Sequence, residues 1–293
     1  MRKKMTDYTI FTDSACDMSP DILSEWGVKH ESLSFRFDGD ETQYIDGAVP
    51  AHEFYDRMRQ GDVIKTAAVN AQSFVDAFEA ELKEGKDILY LGFSSGLSST
   101  YSAGRLAAEQ LKDEYPERKI IAIDTLSASA GFGLLLKLAV DKKAAGATLE
   151  ENAKYVEETK LHVCHWFTVD DLVYLKRGGR ISPTLAFVGN VLGIKPVLHM
   201  DNEGHLINIT KVRGRKTSIA ALADKLGELA YDTSASSPVF VSHGDCPDDI
   251  ELLDKMLREK YGRGIDLSTN VGTVIGAHSG PGTIALFFLG KER

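Results

Sequence analysis

The chain has 293 residues, a net charge of −9, 43% hydrophobic and 26% charged residues, so it can bury the cores of two α/β domains without staples. Lys and Arg are dispersed along an acidic chain, which excludes nucleic acid or an anionic membrane surface as the main partner, and no apolar run approaches the ~18 residues of a membrane span. Cys16, Cys164 and Cys246 form no even framework, and the basic Met1–Met5 is followed by Thr6-Asp7-Tyr8 instead of an apolar run; both point to a cytoplasmic protein with no signal peptide.

In chain order, Tyr8–Asp13 reads as an apolar strand, and Ser19-Pro20 opens a helix through Trp26, with proline early, where its missing N–H costs nothing. An alternating strand is expected from Val28 to Phe37, then helices over His52–Gln60 and Gln72–Glu84, a strand at 87–93, and a helix from about 99 to 113. The strand Lys119–Asp124 and helices near 127–146 and 148–160 complete a first half of alternating strands and helices. That alternation predicts a doubly wound, mainly parallel sheet in a first domain, residues 6–160.

The second domain, residues 161–293, opens with a strand at His162–Val169, a short helix at Asp170–Arg177 and a break at Gly178-Gly179. A helix at Pro183–Leu192 precedes two strands, Ile194–Met200 and His205–Val212, whose Asp201-Asn202-Glu203-Gly204 link reads as a hairpin turn and makes this second sheet mixed. A helix at 214–230, the strand Val239–His243, a helix at 247–261, a strand near 265–270 and the strand Thr283–Leu289 follow.

Residues Gly92–Tyr101 hold six hydroxyl side chains where an apolar strand ends and a helix begins. Free N–H groups and hydroxyls at such a junction can cradle a carboxylate or phosphate, although capping alone would use one or two of them. Gly92-x-Ser94-x-Gly96 also matches the nucleophile elbow of α/β hydrolases, which makes a serine hydrolase with Ser94 as nucleophile the competing reading. A second constellation, His278-Ser279-Gly280-Pro281-Gly282, reads as a turn that brings a histidine and bare backbone close to a ligand. His162, Cys164 and His165 would not converge on a metal, because strand alternation sends His165 to the other face. Two basic runs stand out, Lys211–Lys216 and Lys176-Arg177 with Arg180.

Five ordered motifs resemble the DegV family over nearly the whole chain: Thr12–Met18, Gly92–Tyr101, Leu175–Ser182, Ile194-Lys195-Pro196 and His278–Gly282. The resemblance implies a two-domain protein with a long-chain fatty acid in a tunnel between the domains. It further implies that the protein presents the carboxylate to a separate ATP-dependent fatty acid kinase for acyl phosphate formation, with no catalysis, cofactor or metal of its own. Carried over by position, Ser95 with Ser94 beside it, Thr66 and His278 would hold the carboxylate, and Arg213 would meet the kinase. The chain departs from the family around Thr66, where Asn70 is a substitute donor, and at Ser99, where the family has glycine.

A buried acyl chain gains about 0.8 kcal/mol per methylene, or roughly 10 kcal/mol gross for a long one, so an apolar tunnel would supply most of the affinity. Expected tunnel walls are Ala128–Leu135 and Leu185–Leu192.

Overall fold

A computed structural model of the chain describes residues 7–181, 193–234 and 236–293. The helix expected at Pro183–Leu192 and the tunnel wall expected at Leu185–Leu192 lie outside the described residues.

The first half contains β1 (Tyr8–Asp13), α1 (Pro20–Glu25), β2 (Val28–Glu31), β3 (Ser34–Phe37), β4 (Tyr44–Ile45), α2 (Ala51–Arg59), β5 (Ile64–Ala67) and α3 (Ala71–Lys83). It continues with β6 (Asp87–Gly92), α4 (Thr100–Glu114), β7 (Ile120–Asp124), α5 (Ser129–Ala144) and α6 (Leu149–Thr159). Local chemistry starts these helices where the sequence asks. The Ser19 hydroxyl accepts from the Ile22 N–H before α1, and Thr148 and Glu151 close a capping box before α6. Asn70 is such a cap too: its side-chain oxygen accepts from the Ser73 N–H at 2.9 Å, so it opens α3 and does not serve as the substitute head-group donor.

β2, β1, β6 and β7 form a parallel sheet in that order. Alternation along β1 shows that helices cover both faces. Thr9 hydrogen-bonds Glu81 of α3 on one side, while Tyr8 receives a bond from Asn152 of α6 on the other. The single strand expected from Val28 to Phe37 is two. β2 extends the parallel sheet, whereas β3 turns into a separate antiparallel sheet of order β4-β3-β5, seated through Phe35 and Phe37 on Phe54 of α2.

The second half contains β8 (Val163–Thr168), α7 (Val173–Arg177), β9 (Ile194–Met200), β10 (Leu206–Arg213), α8 (Arg215–Leu229) and β11 (Val239–His243). α9 (Pro247–Tyr261), β12 (Leu267–Asn270), α10 (Thr273–Ser279) and β13 (Ile284–Leu289) follow. Its strands make a six-stranded mixed sheet, β10-β9-β8-β13-β11-β12, with the expected β9–β10 hairpin at one edge. α5 joins the two halves. A β-carbon on Gly131 would lie 2.4 Å from His165 of β8, and one on Gly133 would lie 2.6 Å from Met18, so small residues let this helix press close to both. No helix among the described residues is long and apolar enough to cross a membrane.

Candidate functional site

A cavity of about 320 Å³ lies between the loop that follows β6, strand β5, helix α10 and the inner face of the six-stranded sheet. Its volume falls within the range of small-ligand sites. Phe93, Phe167, Met200, Val274, Ile275 and Phe287 form most of its apolar body. Thr66, Ser98, Arg180 and His278 also border it and give it a polar end.

His278 is not on a turn, as its glycine-rich surroundings suggest, but in the last turn of α10. Gly276 serves packing inside that helix, since a β-carbon there would meet the Tyr55 hydroxyl at 2.4 Å. The His278 Nε2 atom lies 2.8 Å from the Thr66 hydroxyl, which reaches it from β5. Its Nδ1 atom has no hydrogen-bond partner among the described residues. On that side the ring abuts Gly178: a β-carbon there would sit 2.0 Å from Nδ1, which accounts for one glycine of the Arg-Gly-Gly-Arg run. Gly179 answers a different need, a left-handed backbone at φ +70°.

Burial, and then the charge of Arg180, pull the His278 pKa down to about 4, so the ring is neutral at pH 7. An imidazole in the unfolded chain takes its proton near 6.5. As pH falls the unfolded chain therefore binds the proton first, and the stability that neutral His278 contributes is complete above 6.5 and lost as pH approaches 4. His278→Gln should flatten part of the acid limb in this window, measured as the urea midpoint against pH; an unchanged limb would mean that the ring titrates normally in the fold.

Arg180 is pinned with its charge beside the histidine, Nε donating to the Leu97 carbonyl at 3.1 Å and Nη1 to the Gly178 carbonyl at 2.5 Å. Ser98 lies just before α4, where its hydroxyl accepts from the Thr100 N–H at 3.2 Å and shares a bond with the Thr100 hydroxyl at 2.9 Å. The polar end thus combines two hydroxyls, a neutral imidazole and a guanidinium near the start of a long helix. That set suits a carboxylate, which accepts hydrogen bonds and carries the charge that Arg180 complements.

Of the residues expected at the head group, the structure brings Thr66 and His278 together and leaves Ser94 and Ser95 off the cavity wall. Ser94 is fully buried; its hydroxyl donates to the Gly204 carbonyl at 2.9 Å and accepts from the Gly96 N–H, tying the loop to the β9–β10 hairpin. Ser95 is exposed, its N–H bonded to Asp124 at 3.2 Å. The nucleophile elbow fails on the same facts. No histidine bonds the Ser94 hydroxyl among the described residues, and α4 begins only at Thr100.

Sequence reasoning passed over Ser98 as a ligand group, although it lies in the same hydroxyl run, and left Arg180 as an unassigned basic residue. The signal for Ser98 was its place next to the helix start. Arg213 lies at the exposed end of edge strand β10, away from the cavity. Its neighbour Arg215 turns inward to Asp249 and the Gly282 carbonyl, so the basic run is only partly free for a partner. Of the expected wall Ala128–Leu135, Ala128 and Ser129 border the cavity and the rest is packed core.

The family model described as "Uncharacterised protein, DegV family" matches residues 7–291. A DegV domain-containing protein of Clostridium perfringens is 41% identical over 99% of both chains. Among solved structures, a DegV lipid-binding protein of Thermotoga maritima aligns with a TM-score of 0.84 at 30% identity, covering 98% of this chain and 99% of that one. A fatty acid (stearic acid)-binding protein of Eubacterium ventriosum aligns with a TM-score of 0.86 at 27% identity, covering 97% and 98% of the two chains. DegV of Bacillus subtilis, described as a fatty acid binding protein, aligns with a TM-score of 0.83 at 27% identity over 98% and 100%. On motif order, fold and full-length match alike, the chain belongs to the DegV family.

Proposed function

We propose that this protein binds a long-chain fatty acid, with the acyl chain in the apolar body of the cavity and the carboxylate at Thr66, Ser98, Arg180 and His278. The observation that carries the reading is the Thr66–His278 pair, 2.8 Å apart, at the polar end of an otherwise largely apolar cavity. The stearic acid named for the Eubacterium ventriosum relative and the description of the Bacillus subtilis relative as a fatty acid binding protein support it. Apolar burial would supply the affinity, and the polar end would keep the buried carboxylate from going unpaired, which costs several kcal/mol.

The finer reading is that the protein has no catalysis of its own and works in the cytoplasm. It holds the carboxylate at the junction of units 6–160 and 161–293 for an ATP-dependent kinase that converts it to an acyl phosphate. Exposed Arg213 would then belong to the docking surface. A neutral histidine and hydroxyl donors suit that task, because they hold the oxygens without a competing covalent bond.

Titration of delipidated protein with stearate by calorimetry tests the first reading. Thr66→Val and Ser98→Ala should each weaken binding by about tenfold, the worth of a charge-assisted hydrogen bond. Ser94→Ala should cost stability instead. Wild-type stearate affinity in both Thr66→Val and Ser98→Ala would remove the head group from this end of the cavity. For the finer reading, Arg213→Ala should slow acyl phosphate formation with the purified kinase and ATP at unchanged stearate affinity, and stoichiometric fluorophosphonate labelling of Ser94 would restore the hydrolase.

A further inference from the structure

The wall of the same cavity carries polar groups that a carboxylate at Thr66 and His278 does not use. Ser242 of β11 and Ser129 of α5 both border it, both buried, with their hydroxyl oxygens 2.8 Å apart. The Ser129 hydroxyl also hydrogen-bonds the buried Asp17, in the short segment after β1. A serine hydroxyl has one proton and two lone pairs. The bond between the two serines can run in either direction, and beyond it the Ser242 hydroxyl has no partner among the described residues. Ser279 also borders the cavity, only 6% exposed, and its hydroxyl has no partner among the described residues.

Around these groups the wall is apolar, with Val271, Ala285 and Phe287. The one imidazole nearby is already used: His165 Nδ1 bonds the Val163 carbonyl at 2.9 Å and Nε2 accepts from the Ala128 N–H at 3.5 Å. Ser129 moreover holds a left-handed φ of +55°, which costs energy for a residue with a side chain and which the packing must maintain. A methylene chain leaves the Ser279 hydroxyl unsatisfied and gives the Ser242 hydroxyl no second partner, and buried polar groups without partners are costly. A hydroxyl within the chain would give Ser242 that partner.

We infer that the cavity takes long-chain fatty acids bearing an in-chain hydroxyl, which hydrogen-bonds Ser242 and is backed by the Ser129–Asp17 relay. The inference rests on the reading of this cavity as an acyl site and specifies which acyl chains it favours. The assignment commits to a hydroxyl because a hydroxyl both donates and accepts, so it pairs with Ser242 whichever serine supplies the proton between them.

The test is competition between stearate and a positional series of monohydroxystearates on delipidated protein. In the wild type at least one isomer should bind more tightly than stearate. Its advantage should fall by about tenfold in Ser242→Ala, where the ligand hydroxyl has lost its partner. Ser129→Gly, which suits the left-handed backbone and removes the relay, should also reduce the advantage, and it serves if the first variant does not fold. Stearate bound while every isomer binds more weakly, or an advantage unmoved in the folded variant, overturns the inference and leaves a hydroxyl pair that holds only water. Failure of stearate itself to bind strikes the fatty acid reading instead.

Discussion

Gly178→Ala should weaken stearate binding by about tenfold to a hundredfold while leaving the far-ultraviolet circular dichroism unchanged. The backbone at Gly178 is ordinary, φ −73° and ψ −11°, so alanine brings no strain of its own. Its β-carbon, however, would lie 2.0 Å from His278 Nδ1 and 3.0 Å from Cε1, distances that require the ring to move. A ring that shifts to clear the added carbon changes its 2.8 Å contact with the Thr66 hydroxyl, so one methyl group acts on the far side of the histidine. The loss is about 1.4 kcal/mol for each factor of ten. Gly179→Ala is the control. Nothing lies within 4 Å of its added carbon, and its φ of +70° should cost about 1 kcal/mol of stability with little effect on affinity. Combined with His278→Ala, the Gly178 substitution should add almost nothing, since both act on one ring. A stearate affinity within twofold of wild type in Gly178→Ala would show that the histidine is not held where the ligand needs it.

Arg293→Met should lower stability by about 3 kcal/mol, or ~8 °C in the melting midpoint. The Arg293 guanidinium donates to the carbonyls of Leu126, Lys160, Val163 and Asp201 and to the Ser127 hydroxyl, at distances from 2.6 to 3.2 Å. It thereby joins the turn after β7, the entry to β8 and the β9–β10 hairpin. Burial pulls its pKa down to about 10, which still leaves it charged at neutral pH. Methionine would fill much of the space and strand several buried acceptors. Arg293→Lys should recover only part of the loss, because an ammonium cannot fork toward acceptors on several sides. The Ser127 carbonyl accepts from the Ser94 N–H at 3.1 Å, so the variant should also loosen the hydroxyl loop and weaken stearate binding. A midpoint within a degree of wild type would mean that water replaces the guanidinium at little cost.

Most elements were legible because their apolar spacing matched their buried faces. β1, β11 and α9 run as their patterns predict. The small antiparallel sheet was not. β5, with residues alternating half-buried and exposed, has no apolar run to mark it, and the bend between β2 and β3 leaves no break in the alternation. α10 was hidden by Gly276, which reads as a turn residue but answers to Tyr55 packed against it, and by Gly280, which ends the helix at a φ of +84°. In the site, residue type pointed to a loop that reaches the cavity, which Ser98 and Ser99 of that loop border and Ser94 and Ser95 do not. Which hydroxyl of a run faces a cavity depends on where the helix begins, and here Ser94 is spent on a hairpin carbonyl before the helix starts. The pairing of Thr66 with His278 depended on a contact across 212 residues, which no local pattern encodes.

The place of β13 in the six-stranded sheet has a consequence for how the protein is made. β13 pairs with β8 on one side and β11 on the other, yet both precede it in the chain. During synthesis β8 and β11 leave the ribosome without the strand that joins them, and each waits with apolar residues and an unpaired edge in water. Such edges invite pairing with other nascent chains. The cavity waits as well, because Ala285 and Phe287 arrive only with β13. A ligand met earlier would find one wall of the cavity missing, so loading has to follow the arrival of β13.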